Sequence, residues 1–131
     1  GYSDTITCAS SSNKVLVMGV VDYTLQGNTQ FHWHGGALAM VRTPDGGSDT
    51  EIYDQQIQFR VDDSDSRTKY FVFQIPVMVL DSPSSTAELT YKFQQKRIND
   101  GSNYLTSHSH VNYQGSGVSI SYLHLIEIDG T

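Results

Sequence analysis

The stretch 14-KVLVMGVVDYTL-25 decides the fold class. Val15, Val17, Val21, Tyr23 and Leu25 share one face if the chain is extended, because successive side chains in a strand point to opposite sides. β-Branched and aromatic residues dominate, which suits a pleated surface better than a helix. The intervening positions Leu16 and Met18 are apolar too. A strand with one wet face has no use for that second set. Its other face is therefore expected to be covered as well, by a loop or by another copy of the chain.

The period of two recurs on either side of this stretch. In 69-KYFVFQIPVMVL-80, Phe71, Phe73, Ile75, Val77 and Val79 align. In 88-ELTYKFQ-94, Leu89, Tyr91 and Phe93 do so. Weaker strand patterns run through 3-SDTITC-8, 36-GALAMVR-42, 52-IYDQQIQFRV-61 and 108-HSHVNY-113. The last strand lies in 118-VSISYLHLIEI-128. No window shows helical periodicity with caps. Between strands stand 26-QGN-28, 43-TPDGG-47, 62-DDSDS-66, 81-DSPSS-85, 99-NDG-101 and 114-QGSG-117, all rich in turn-forming residues. Pro76 cannot donate to a ladder, so its strand is expected to be an edge there or to carry a bulge.

These strands, about eight of them, must stack or close to hide their edges. The expected architecture is an all-β, antiparallel two-sheet sandwich of jelly-roll type. Residues 1–13 are expected to form an N-terminal arm or a first short strand, and 14–131 a single sandwich domain. In the last strand, Val118, Ile120, Tyr122, Ile126 and Ile128 share a face with His124. Leu123 and Leu125 lie on the other, with Ser119, Ser121 and Glu127. One face should build the core and the other should meet a neighbour. The expected interface residues are Leu123, Leu125, Leu16 and Met18. His124, on the richer face, is expected to be a packed, hydrogen-bonded histidine.

Length and charge narrow the function. A chain of 131 residues is most simply one domain and buries roughly two thirds of its unfolded surface. Its one cysteine, Cys8, cannot form an intrachain disulfide. No apolar run approaches the roughly 20 residues of a membrane-spanning helix, and no membrane partner is expected. The chain starts at Gly1, consistent with initiator Met removal or excision from a longer protein. The net charge of −6 argues against nucleic acid, which selects a basic face. Seven of the fourteen acidic residues lie between Asp45 and Asp65, a solvated, self-repelling region.

Two H-x-H pairs, 32-HWH-34 and 108-HSH-110, are candidate metal ligands. On a strand, residues i and i+2 share a face about 7 Å apart. His32, His34, His108 and His110 would converge on Zn²⁺ or a similar ion. One pair from each chain of a trimer would supply six nitrogens. Polar strand or loop residues are the simpler account, and no cofactor is expected. Nucleophilic catalysis has little support: there is no G-x-S-x-G elbow, and Cys8 has no adjacent base. Asp62 and Asp63 fall in a turn, unlike the separated carboxyls of a glycosidase. The 63-DSD-65 stretch lacks a full Ca²⁺-loop pattern. Trp33, Tyr53, Tyr104 and Tyr113 are candidate receptor or glycan contacts, since exposed aromatic rings stack on sugars or fill interfaces.

Two segments together carry a resemblance. They are 79-VLDSPSSTAELTYKFQ-94, with Asp81, Pro83, Thr86, Thr90, Tyr91 and Gln94, and the final strand, with Ser121, Leu123, Glu127 and Ile128. The combination resembles structural virion proteins of tailed bacteriophages, particularly marine and cyanobacterial phages. The two segments cover about a fifth of the chain. It implies a jelly-roll-like sandwich similar to viral fibre heads and tumour-necrosis-factor-like domains, usually homotrimeric. The H-x-H pairs are similar to motifs that bind iron in some long tail fibre tips. Those tips are needles with many such motifs, whereas this chain has two pairs.

The expectation is a non-enzymatic protein of the virion surface, assembled in the host cytoplasm. It would act as capsid decoration or cement, or as a tail-fibre or receptor-binding tip. Expected partners are further copies of itself, in the trimer that the resemblance implies, the major capsid protein or tail components, and a host surface glycan. The alternative is a carbohydrate-binding, lectin-like sandwich.

Overall fold

The computed structural model describes residues 3–27, 33–60, 69–97, 106–108 and 122–130. Within them run β1 (Ser3–Thr7), β2 (Lys14–Gly27), β3 (Trp33–Pro44) and β4 (Thr50–Arg60). They are followed by β5 (Lys69–Asp81), β6 (Glu88–Arg97), β7 (Thr106–His108) and β8 (Tyr122–Ile128). No helix occurs among the described residues. All pairings are antiparallel.

The first sheet has the order β1-β6-β3-β4, and the second has β5-β2-β7, with β8 also paired to β2. Three pairings nest: β3 with β4, β2 with β5, and β1 with β6. They are the rungs of one long hairpin folded over on itself, which is how a jelly roll is wound. The fold is the expected antiparallel sandwich. Pro76 lies opposite Val20 on β5, an edge of the second sheet among the described residues, as its missing N–H requires.

The core fills the space between the sheets. β2 contributes Val15, Val17 and Val21, and β5 contributes Ile75 and Val77. From the facing sheet come Leu38 and Met40 of β3 and Leu89 and Tyr91 of β6. Fully burying one such aliphatic side chain contributes about 1.5–3 kcal/mol. Ala37 and Ala39, at the alternate positions of β3, are buried as well. They are small and flanked on both sides by β4 and β6.

The opening segment belongs to the sandwich. β1 pairs with β6 from Ser3 to Thr7, and Cys8 lies in the core. The loop after it is tied to the end of β8: Glu127 Oε1 accepts hydrogen bonds from the Ala9 amide and from Asn13 Nδ2, each at 2.6 Å. Over residues 3–8 the chain is therefore strand and core, rather than a free arm. The turn after β3 closes with the Gly47 amide on the Pro44 carbonyl at 2.9 Å, and Gly46 takes the left-handed φ of 65° that a side chain would resist.

Candidate functional site

The second sheet has an outer face, and its composition is unusual for a solvent-facing surface. Val15, Val17 and Val21 of β2 point inward, so Leu16, Met18 and Val20 point outward. Directly opposite residues of an antiparallel pair share a face. Val20 therefore sits in a row with Pro76 and Tyr122, Met18 with Met78 and His124, and Leu16 with Leu80 and Ile126. Ile128 ends the pattern beside Lys14. Met78 is 73% exposed and Leu80 54%. Tyr122, Ile126 and Ile128 are exposed too, and these five are the only large exposed hydrophobics among the described residues. All five lie on this one face.

Three adjacent strands make the patch continuous. Strand spacing of about 4.8 Å and six residue steps of about 3.4 Å give it a footprint of roughly 300 Å². A contiguous apolar area of that order is comparable to the largest patch on a typical monomer, which is often functional. The rings of Tyr122 and His124 meet at a tilt of 45°, with centroids 5.2 Å apart. No carboxylate lies among the three rows, and Lys14 stands at one end.

The expected interface residues divide. Leu16 and Met18 lie on the outer face. Leu123 and Leu125 do not: they pack against the core, opposite Gly19 and Val17. The register with β2 sets this, because inward Val17 forces Leu125 inward. His124 is correspondingly exposed rather than packed inside. Met78 and Leu80 were not singled out as interface residues, although the alternation of 69–80 already puts them opposite the inward face.

The other candidate residues are only partly among the described residues. His34 stands in β3 opposite Phe59, and His108 ends β7 opposite Thr24, so they belong to different sheets. His32 and His110 lie outside the described residues. Among the described residues no group of three or more His, Cys, Asp or Glu side chains is placed to hold a metal ion. Trp33 opens β3 opposite Arg60. Tyr53 is half-buried against the core, and its hydroxyl donates to Gln55 Oε1 at 2.6 Å. Tyr104 and Tyr113 lie outside the described residues.

Buried chemistry serves the fold. Burial pushes the Cys8 thiol pKa up, with the Glu127 and Asp81 carboxylates adding to the shift, opposite to what an activated nucleophile needs. Asp81 is held by Arg42 and Tyr91. No known protein family, curated protein or solved structure matches the chain.

Proposed function

We propose that the protein is a non-enzymatic structural subunit that self-associates through the outer face of its second sheet. The observation that carries this is the gathering of every large exposed hydrophobic among the described residues onto one face. A lone surface leucine needs no explanation, but three cross-strand rows of them do. The rest of the chain suits the role. None of its three apolar rows carries a carboxylate, so chains with a net charge of −6 would meet where no acidic side chain stands.

The resemblance of 79–94 and 118–128 to structural proteins of tailed phages supports the virion surface as the site of assembly. There the subunit would serve as capsid decoration or as a fibre-tip module, in contact with capsid or tail components.

Light scattering across a concentration series, together with immunogold labelling of purified particles, tests the proposal. An oligomer in solution and label on particles are expected. A chain that stays monomeric at every concentration and labels no particle would overturn it.

A further inference from the structure

We infer that the outer face pairs with the same face of a second copy about a twofold axis running across the strands, along the Met78–Met18–His124 row. This rests on the self-association proposed above and specifies its geometry. A ring such as a trimer needs two different surfaces that fit each other, whereas a twofold pair needs one surface that fits itself. The described residues offer one apolar patch.

The patch is suited to its own copy. It has an apolar centre with polar residues at the ends, Lys14 at one and the Asp22–Gln74 pair at the other, the usual anatomy of an interface. Two such footprints amount to roughly 600 Å² of projected area in total, the size class of a weak, concentration-dependent association. A charged partner would find only one residue of each sign beside the rows, Lys14 at one end and Asp22 at the other, and none within them. The matching surface is another neutral, apolar sheet.

Lys14 decides the direction of the axis. An axis parallel to the strands would set the exposed Lys14 against its own copy, at the same end of the contact. An axis across the strands sends the two lysines to opposite ends. β2 then runs antiparallel over its copy, with Met18 at the centre and Leu16 over Val20 of the second copy. The two sheets pack about 10 Å apart, with strands close to aligned.

Crosslinking reads this register directly. Single cysteines are placed at Leu16, Val20 or His124 in a Cys8→Ala background. They are treated with a bismaleimide whose reach, about 10 Å, matches the spacing of packed sheets. His124→Cys should crosslink to itself. Leu16→Cys should crosslink to Val20→Cys in a mixed sample several-fold faster than to itself. Met78→Asp should weaken association at least about tenfold, because it brings an unpaired carboxylate into the contact. Its melting in dilute, monomeric solution should stay unchanged, and a variant that fails to melt cooperatively is replaced by Met78→Gln. A mass of two chains is expected. A trimer, or preferential self-crosslinking of Leu16→Cys, would overturn the twofold while leaving self-association standing. A monomer at every concentration would overturn both.

Discussion

The phenol of Tyr91 donates a hydrogen bond to Asp81 Oδ2 at 2.7 Å, across the interior from one sheet to the other. Tyr91 belongs to β6 and Asp81 to the end of β5. Arg42, the cross-strand neighbour of Tyr91, reaches the same carboxylate, with Nη1 at 2.8 and 2.7 Å from its two oxygens. The three side chains bolt the sheets together at one end of the core. Burial and the adjoining carboxylate drive the Tyr91 pKa far up, so the phenol stays a donor.

The two ends of that bolt should differ in cost. Tyr91→Phe removes one hydrogen bond to a charged group and leaves Asp81 paired with Arg42; a loss of about 1.5–3 kcal/mol is expected. Asp81→Ala strands the largely buried Arg42, whose Nε has no partner among the described residues, and should cost about 3–5 kcal/mol. Urea unfolding of both variants measures the difference. Equal losses would mean that the ion pair contributes nothing beyond the phenol contact.

Much of this arrangement was legible in the sequence, and the limits are instructive. Alternation in 14–25, 69–80 and 88–94 identified the inward faces of β2, β5 and β6, because those strands each have one strongly β-branched or aromatic side. It did not orient β8. There the outward set, Tyr122, Ile126 and Ile128, outnumbers the inward Leu123 and Leu125. Counting apolar residues within the strand therefore points the wrong way. Orientation came from pairing: Val17 faces the core, and Leu125 is its partner. A strand's partner is a tertiary fact that no local pattern contains. The clamp between Asp81 and Tyr91 was hidden for the same reason, since the two lie in different sheets.

Acid should loosen the join between the chain's two ends. Hydrogen bonds from Asn13 and the Ala9 amide hold the Glu127 carboxyl below its ordinary pKa. Asp49 is lowered likewise by Thr43 and Lys92. A depressed carboxylate contributes stability that is fully present above its unfolded value, about 4.3 for Glu. That contribution is lost as pH falls through the folded value. Melting temperature should therefore decline below about pH 4.3, and less steeply in Glu127→Gln, which starts lower at neutral pH. Identical slopes for the two proteins would remove Glu127 from the account.

Gly19 should tolerate no side chain. It lies on the inward side of β2, and a Cβ there would stand 2.6 Å from the Tyr122 carbonyl oxygen and 3.0 Å from Phe93 Cζ. The first of those atoms is backbone and cannot swing aside. Gly19→Val is expected to cost about 1–3 kcal/mol or more through overpacking. The strain falls on β8, so amide hydrogen exchange over 122–128 should rise more than over β3. Uniform exchange across the sandwich would show that the strain spreads through the core instead.

Leu123 and Ile126 offer the sharpest separation of fold from association, since they are neighbours on one strand with opposite duties. Leu123 packs against the core, while Ile126 is 42% exposed on the outer face, in the row of Leu16 and Leu80. Leu123→Asp puts a carboxylate into an apolar interior without a partner, where the charged form is strongly disfavoured. It should unfold the chain or lower its melting temperature severely. Ile126→Asp exchanges one exposed side chain for another in the isolated subunit, where its effect on stability should stay within about 0.5 kcal/mol. In the proposed assembly the same change would set a carboxylate against an apolar partner, so association should require a much higher protein concentration. Circular dichroism melts in dilute solution, paired with light scattering across a concentration series, read the two effects apart. If Ile126→Asp melts like Leu123→Asp, the outer face is part of the subunit's own core. If both variants fold and associate as the parent does, β8 is not where the copies meet.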